Sequence, residues 1–490
     1  MRRLFILFFL IPLVDYCQVL IGSDIDGESA NDLSGWSVSA SSDGNIIAIG
    51  AYGNDNIGIN SGHVRIFKNL NGLWIQIGQD IDGEEAGGLS GSSVSLSADG
   101  SIVAIGAPYN DGNGVRSGHV RVYENISDVW TQIGQDIDGE DDFNESGCAV
   151  SLSSDGNRVA IGAWLNSNNN ANELNSGHVR VYENVSGIWT QIGQDIDGEV
   201  GGDKLGYSIS LSSDGDILAA GAIHNDDIGF QSGQVRVYQY ESGLWTQIGQ
   251  DINGLEEDEK FGFKVSLSSD GSIVAASTIE GDVTSPGFVR IYRNVSGIWT
   301  QIGSDLYGDA EGDQFGYSIS LSNDGNLIAI GANENDESGV DSGQVKIFKN
   351  INDVWVQIGQ EINGEAGNDN SGHSLSLSSD GSSVVVGAIF NDGNGNDSGH
   401  VRVYDLSALL SVEEETISNF KIHPNPTKNQ LTIQLNNSFD LQNVNIYNNL
   451  GQLVLTSKES IIDVSKLALG LYTVEIETNQ GKGTQKLIVE

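Results

Sequence analysis

Asparagine is followed by aspartate at Asn54-Asp55, Asn110-Asp111, Asn225-Asp226, Asn335-Asp336 and Asn391-Asp392, and the last pair runs on as NDGNGNDSG, with oxygen donors at Asp392, Asn394, Asn396 and Asp397. Carboxylate and amide oxygens alternating along a glycine-rich loop can wrap calcium, which takes about six to eight oxygen ligands. The same pairs also make Asx turns, in which the side chain closes a loop and no ion is required. Asp55, Asp111, Asp226, Asp336, Asp392, Asn394, Asn396 and Asp397 are therefore the candidate ligands of weak calcium sites, each loop offering few carboxylates. No other cofactor is implied.

His63, His119, His178 and His400 share one sequence register, which other units fill with Gln234, Phe288 and Gln344. A general base does not survive replacement by phenylalanine, so the register belongs to the scaffold. Two residues on, Arg65, Arg121, Arg180, Arg236, Arg290, Lys346 and Arg402 form a second register, expected to pack between units or to sit in buried ion pairs. Cys148 shares a third with Trp36, Ser92, Tyr207, Phe263, Tyr317 and His373, which reads as packing and not as a nucleophile. The sequence holds no Ser/His/Asp set, no H-E-x-x-H and no phosphate loop, and no catalytic residue is expected.

These registers come from seven units of about 56 residues, each marked by an S-x-D-G ending at Asp43-Gly44, Asp99-Gly100, Asp155-Gly156, Asp214-Gly215, Asp270-Gly271, Asp324-Gly325 or Asp380-Gly381. One unit reads CAVSLSS, NRVAIGA, GHVRVYEN and GIWTQIGQ. Its runs alternate like strands, and its Asp-Gly and Asn/Ser/Gly turns supply the φ > 0 residues that hairpins need. Four antiparallel strands repeated seven times predict an all-β fold, a seven-bladed β-propeller in which each blade covers its neighbour's apolar face. Composition agrees, with 38% hydrophobic residues, 64 glycines, 5 prolines and 1 methionine.

The fourth run, W-x-Q-I-G, begins at Trp74, Trp130, Trp189, Trp245, Trp299 and Trp355, always 25 residues before the next S-x-D-G aspartate. Counting 25 back from Asp43 gives Gln18, just ahead of a copy without tryptophan, LIGSDIDG, and no copy follows Tyr404. The N-terminal fragment is thus the missing fourth strand of the last blade, and its pairing there leaves no open sheet edge. From each S-x-D-G aspartate to the next SG glycine the spacing is 19, 19, 22, 19, 17, 19 and 19. Only the loop between strands two and three varies. In a meander that loop shares a face with the acidic crossovers, such as QDIDGEEAGGLSG, and this face is where binding is expected. The strongest departures from repetition are the loop WLNSNNNANELNSG and the segment ASTIEGDVTSPGF of the fifth unit.

The net charge of −44 lies entirely ahead of residue 416, because residues 416–490 hold six acidic side chains and six lysines. So acidic a surface repels phosphate backbones and excludes nucleic acid as a partner. At the start, two arginines precede an apolar run from Leu4 to Val14, too short to span a bilayer but suited to a signal peptide with cleavage after Cys17. Tyr16 fits a lipidation box poorly, and no later segment is apolar enough to be transmembrane.

QFGYSISLSNDGNLIAIGA from Gln314, KFGFKVSLSSDG from Lys260 and the GAP at Gly106 to Pro108 resemble FG-GAP repeats, the units of integrin-type propellers, over residues 18–405. That family's usual calcium loop, D-x-D-x-D-G, is here only S-x-D-G, and one carboxylate is too few for such a site. FKIHPNPTKNQLTIQL, VNIYNNLGQLVL and the final run to KLIV resemble the type A sorting domain of the type IX secretion system, with Pro424 to Pro426, LGQ, Gly470 and Tyr472 in order. This resemblance implies export through the type IX machinery across the outer membrane of a Gram-negative bacterium, then release or surface attachment.

The expected organisation is a signal peptide (1–17), a propeller (18–405), a linker (406–417) and a small β-sandwich-like sorting domain (418–490). The expected function is non-catalytic binding or adhesion at an extracellular protein or glycan. The alternatives are a polysaccharide-acting enzyme on a propeller scaffold and a structural surface protein.

Overall fold

The computed structural model describes residues 18–167, 174–279, 285–410, 420–435, 441–448, 452–478 and 481–489. The expected signal peptide, part of the expected linker, and parts of the two irregular segments WLNSNNNANELNSG and ASTIEGDVTSPGF lie outside the described residues. The chain divides into two compact units between Leu409 and Leu410. Its only described helix is the four-residue Ser407–Leu410, and no described helix is long and apolar enough to cross a membrane.

The first unit is a β-propeller of seven antiparallel sheets. In the third repeat, Ala149–Leu152, Arg158–Ala163, His178–Asn184 and Trp189–Gln191 pair in sequence order, and the short strand Ile196–Asp197 continues the fourth run against His178–Asn184. Local chemistry sets each first turn. Asp155 Oδ1 accepts from Ser153 Oγ at 2.6 Å and from the Asn157 amide at 3.0 Å, while Gly156 takes a φ of 69° that a side chain would strain. The second strands are the most buried: Val159, Ala160 and Ile161 are at most 1% exposed, covered on both faces by neighbouring sheets.

Ring closure is visible in the backbone. Ser42 donates to the Ala98 carbonyl, Ala98 to Ser154, Ser154 to Ser213, Ser213 to Ser269, Ser269 to Asn323, Asn323 to Ser379 and Ser379 back to Ser42, at 2.8–2.9 Å throughout. The final sheet joins both ends of the unit. Val19–Leu20 and Ile25–Asp26 pair with His400–Asp405, in the register Val19 to Asp405 and Ile25 to Val401.

The tryptophans tie each sheet to the one before it. Indole Nε1 of Trp130 donates to the Ile77 carbonyl at 2.9 Å, and that of Trp299 to Ile248 at 2.8 Å. Gly78 leaves room for this ring, since a Cβ there would sit 2.6 Å from Trp130 Cδ1. In the closing sheet Gln18 takes the tryptophan's place, its Nε2 donating to the Gln360 carbonyl at 2.5 Å beside Gly359.

The second unit has a three-stranded sheet (Lys421–His423, Gln430–Gln434, Ile461–Asp463) and a four-stranded sheet (Leu441–Tyr447, Leu453–Ser457, Gly470–Thr478, Gly481–Val489). One core joins them, with Leu431, Val444, Ile446, Val474 and Leu487 fully buried.

Candidate functional site

Each first strand carries a glycine at or just before its start, at Gly35, Gly91, Gly147, Gly206, Gly262, Gly316 and Gly372, and the residue following that glycine lines the central cavity. The register Trp36, Ser92, Cys148, Tyr207, Phe263, Tyr317 and His373, expected to be simple packing, instead surrounds one mouth of the channel and lines a cavity of about 530 Å³. Tyr52, Tyr109 and Trp164, from the ends of second strands, complete the wall. The rings lean on one another around the mouth: Tyr207 on Phe263 (5.4 Å), Phe263 on Tyr317 (5.5 Å), Tyr317 on His373 (4.8 Å) and His373 on Trp36 (4.5 Å). The opposite mouth is lined largely by serines, including Ser42, Ser154, Ser213 and Ser269, around about 220 Å³. Small-molecule sites commonly enclose roughly 300–1,000 Å³. The aromatic mouth falls in that range and opens on the face of the variable loops.

Charge in this funnel is asymmetric. Lys264 stands where the other sheets have Ser37, Ser93, Ala149, Ser208, Ser318 and Ser374. Its Nζ lies 5.4 Å from the Phe263 ring centre. On the rim, Lys204 Nζ sits 4.5 Å from the Trp164 ring, and Arg116 stacks 3.6 Å over Tyr109 while pairing with Glu145. Glu145 also accepts from Trp164 Nε1 at 2.8 Å. Burial pushes the Cys148 thiol up to about 12, the reverse of nucleophile activation, and its sulfur donates to the Gly162 carbonyl at 3.3 Å. Burial, with the Lys264 charge, lowers His373 to about 3. Sequence reading misses this funnel, although Lys264 breaks a register otherwise filled by serine and alanine.

The Asn-Asp pairs close loops. Asn54, Asn110, Asn225, Asn335 and Asn391 are buried, and each Oδ1 accepts the amide two residues on at 2.8–3.0 Å. The partner aspartates Asp55, Asp111, Asp226, Asp336 and Asp392 each accept an amide five residues on at 2.6–2.9 Å. These five belong to five different sheets and are not brought together. The last loop gathers carboxylates: Asp392, Asn396 and Asp397 line an open acidic cavity of about 610 Å³ with Asp24, Asp26 and Glu365. Asn394 is turned aside, its Nδ2 donating to the Gly27 and Glu28 carbonyls. The S-x-D-G turns do not fit the calcium site of integrin-type repeats, because the Asp43 oxygens are already taken by Ser41, the Asn45 amide and Asn45 Nδ2.

Most of the basic register forms ion pairs with the crossover that leads out of the preceding sheet. Arg121 lies 3.2 Å from Glu84, Arg180 3.4 Å from Glu140 and Arg290 2.6 Å from Glu259, while Arg402 lies 2.8 Å from Asp24 of its own closing sheet. Beside Arg65, Arg121, Arg180 and Arg402, the histidines His63, His119, His178 and His400 stand with Nδ1 3.9–4.0 Å from a carboxylate. Each histidine and two carboxylates are close enough to share an ion, and in each group a guanidinium already pairs with at least one of the carboxylates. A cross-strand rule runs through the register. His63, His119, His178 and His400 face Asp82, Asp138, Asp197 and Asp26; Gln234 and Gln344 face Asn253 and Asn363; Phe288 faces Tyr307.

Burial, followed by the neighbouring arginine, lowers His63, His119 and His178 to about 4. An unfolded histidine binds its proton near pH 6.5, so between about 6.5 and 4 the unfolded chain holds more protons and stability is lost as the pH is lowered. Each site costs roughly 3 kcal/mol once both pKa values are passed. The melting temperature should therefore decline from pH 7 to pH 4. Replacing the four register histidines with glutamine, the residue already present at Gln234 and Gln344, should flatten that decline. An unaltered pH profile in the variant would contradict the assignment.

Residues 421–490 match the secretion system C-terminal sorting domain, and residues 18–67 and 307–348 match the FG-GAP repeat. No curated protein matches the chain. Among solved structures, it is similar to a putative 6-phosphogluconolactonase from Bacteroides fragilis NCTC 9343 (14% identity, TM-score 0.46, covering 68% of this chain and 86% of that one). A putative 6-phosphogluconolactonase from Bacteroides uniformis ATCC 8492 gives 13%, 0.46, 68% and 86% on the same measures. The periplasmic gluconolactonase of Pseudomonas aeruginosa gives 16%, 0.46, 68% and 85%. These three likenesses are too distant to bear on activity. The sorting domain directs the protein through type IX secretion to the surface or surroundings of a Gram-negative cell.

Proposed function

We propose that this exported propeller is a non-catalytic binding protein that takes a glycan into the aromatic mouth of its channel. The observation that carries the reading is the wall of rings from Trp36, Tyr207, Phe263 and Tyr317 around a cavity of about 530 Å³. An aromatic face carries partial negative charge, and the C–H face of a pyranose carries partial positive charge, so sugars stack on such walls. The mouth is concave and narrow, which suits a chain end or a short oligosaccharide better than the surface of a folded protein. Its thiol is held protonated and His373 is held neutral, which favours binding over nucleophilic chemistry.

Glycan-array screening followed by calorimetry tests this. Each stacking ring contributes about 0.5–1.5 kcal/mol, so Trp36→Ala or Tyr207→Ala should weaken binding roughly 3- to 10-fold. The two together with Tyr317→Ala should abolish it while the melting temperature stays near that of the parent chain. Full affinity in the triple variant would refute the site. Release of new reducing ends from a bound glycan would make the protein an enzyme instead.

A further inference from the structure

We propose that the funnel selects an acidic sugar, a glycan residue carrying a carboxylate, and that Lys264 receives that carboxylate. This rests on the glycan reading above and adds the chemical class of the ligand.

Lys264 is the one basic residue in a register that six other sheets fill with serine or alanine. Those serines have structural work: Ser37, Ser93, Ser318 and Ser374 each donate Oγ to a glycine carbonyl of the next sheet at 2.6–2.8 Å. Lys264 gives up that bond and places an ammonium in the channel instead. From the fifth sheet, it lines the same cavity as Cys148 of the third and His373 of the seventh.

Other interior cations of the propeller are neutralised within the protein. Arg121 has Glu84, Arg290 has Glu259 and Asp305, and Arg402 has Asp24 and Glu365. Among the described residues, Lys264 Nζ has no carboxylate partner; its recorded contact is the Phe263 ring. Glu145, the carboxylate that lines the same cavity, is held by Arg116 and Trp164. In a chain with 67 acidic residues and a net charge of −44, a cation left without a carboxylate in an aromatic mouth is exceptional.

Two further features agree. Burial keeps the Lys264 ammonium below its ordinary pKa, so an incoming carboxylate would supply the counter-charge the protein withholds. Lys204 lies 4.5 Å from the Trp164 ring and Arg116 3.6 Å over the Tyr109 ring, so basic side chains border one side of the mouth. An acidic sugar approaching this otherwise negative face is oriented with its carboxylate towards that sector. Once inside, a carboxylate on Lys264 forms a charge-assisted hydrogen bond while the sugar ring stacks on Tyr207 or Tyr317.

The experiment compares an oligogalacturonate with its methyl ester, which keeps the sugar and removes the charge, on the mature full chain, on Lys264→Ser and on Trp36→Ala. Serine is the residue most other sheets carry at this position, so Lys264→Ser is expected to fold. The parent chain should bind the acid at least tenfold more tightly than the ester. Lys264→Ser should bring the two affinities together without weakening the ester, and Trp36→Ala should weaken both. Equal affinity for acid and ester in the parent chain, or a preference that persists in Lys264→Ser, overturns the inference and leaves glycan binding standing. Absence of binding to any glycan, neutral or charged, overturns the reading on which it rests. A sulfated oligosaccharide of the same length preferred over the uronate would overturn the carboxylate assignment.

Discussion

A chain lacking residues 18–26 is expected to lose most of its thermal stability and to associate through an exposed strand. Those residues supply the outer strands of the closing sheet, where Val19 and Leu20 pair with Asp405 and Tyr404, and the Ile21 amide donates to the Val403 carbonyl at 2.7 Å. They also bring Ile25, 6% exposed, into the core with Val401 and Val403. Asp24 grips Arg402 through two hydrogen bonds of 2.8 and 2.9 Å. Burying an isoleucine stabilises by about 1.5–3 kcal/mol, and the part-exposed Asp24–Arg402 pair, whose guanidinium keeps Glu365, adds up to about 1 kcal/mol. With the strand's backbone hydrogen bonds also lost, at about 1 kcal/mol each, the loss is on the order of 5 kcal/mol, comparable with the whole stability of many domains. The bare edge of His400–Asp405 then offers unpaired backbone groups to another chain.

Moving residues 18–26 to follow Asp405 through a short turn, the order found in the other sheets, should restore a stable monomer, because closure depends on the strand and not on where the chain begins. Melting curves and light scattering on the parent, the deletion and the permuted chain decide this. A deletion that melts like the parent and stays monomeric would refute closure by this strand.

The second large effect is on location. Val444, Ile446 and Val474 are fully buried where the two sheets of the C-terminal unit meet. A carboxylate placed there has no partner and costs several kcal/mol, so Val474→Asp should unfold that unit. Export requires the sorting domain, so both this variant and deletion of residues 421–490 should leave the protein in the periplasm, with the propeller still folded and protease-resistant. Fractionation and surface labelling provide the readout. Surface exposure of the Val474→Asp protein at the parent level would mean that the folded domain is not what the machinery reads.

Much of the fold is written locally and repeatedly. The S-x-D-G turns follow from Asp155 and its counterparts satisfying backbone and serine donors two residues away. Gln18 can be placed in the last sheet because the tryptophan register has a constant length. The sorting domain is legible for a similar reason, since its turns and final strand occur as ordered motifs. The cross-strand rule linking His63 to Asp82, Gln234 to Asn253 and Phe288 to Tyr307 is equally present in the text, at a fixed offset of 19 residues. It becomes meaningful only when the strands are known to pair.

The Asn-Asp loops show the limit of composition. Asp55 and Asp336 have the chemistry of calcium ligands, yet each gives a carboxylate oxygen to an amide of its own loop, and each stands on a different sheet. By itself the sequence determined the repeat, the strand order, the closing strand and the export address, because each rests on contacts between residues near in the chain or on a constant count. Only the tertiary structure decided which side chains form a site. Trp36, Tyr207, Lys264 and His373 are separated by whole repeats and become neighbours solely because seven first strands converge on one axis. In a single sheet the residue after the leading glycine faces nothing. When the ring closes, that position becomes a wall, and one lysine among serines becomes an unpaired charge inside it.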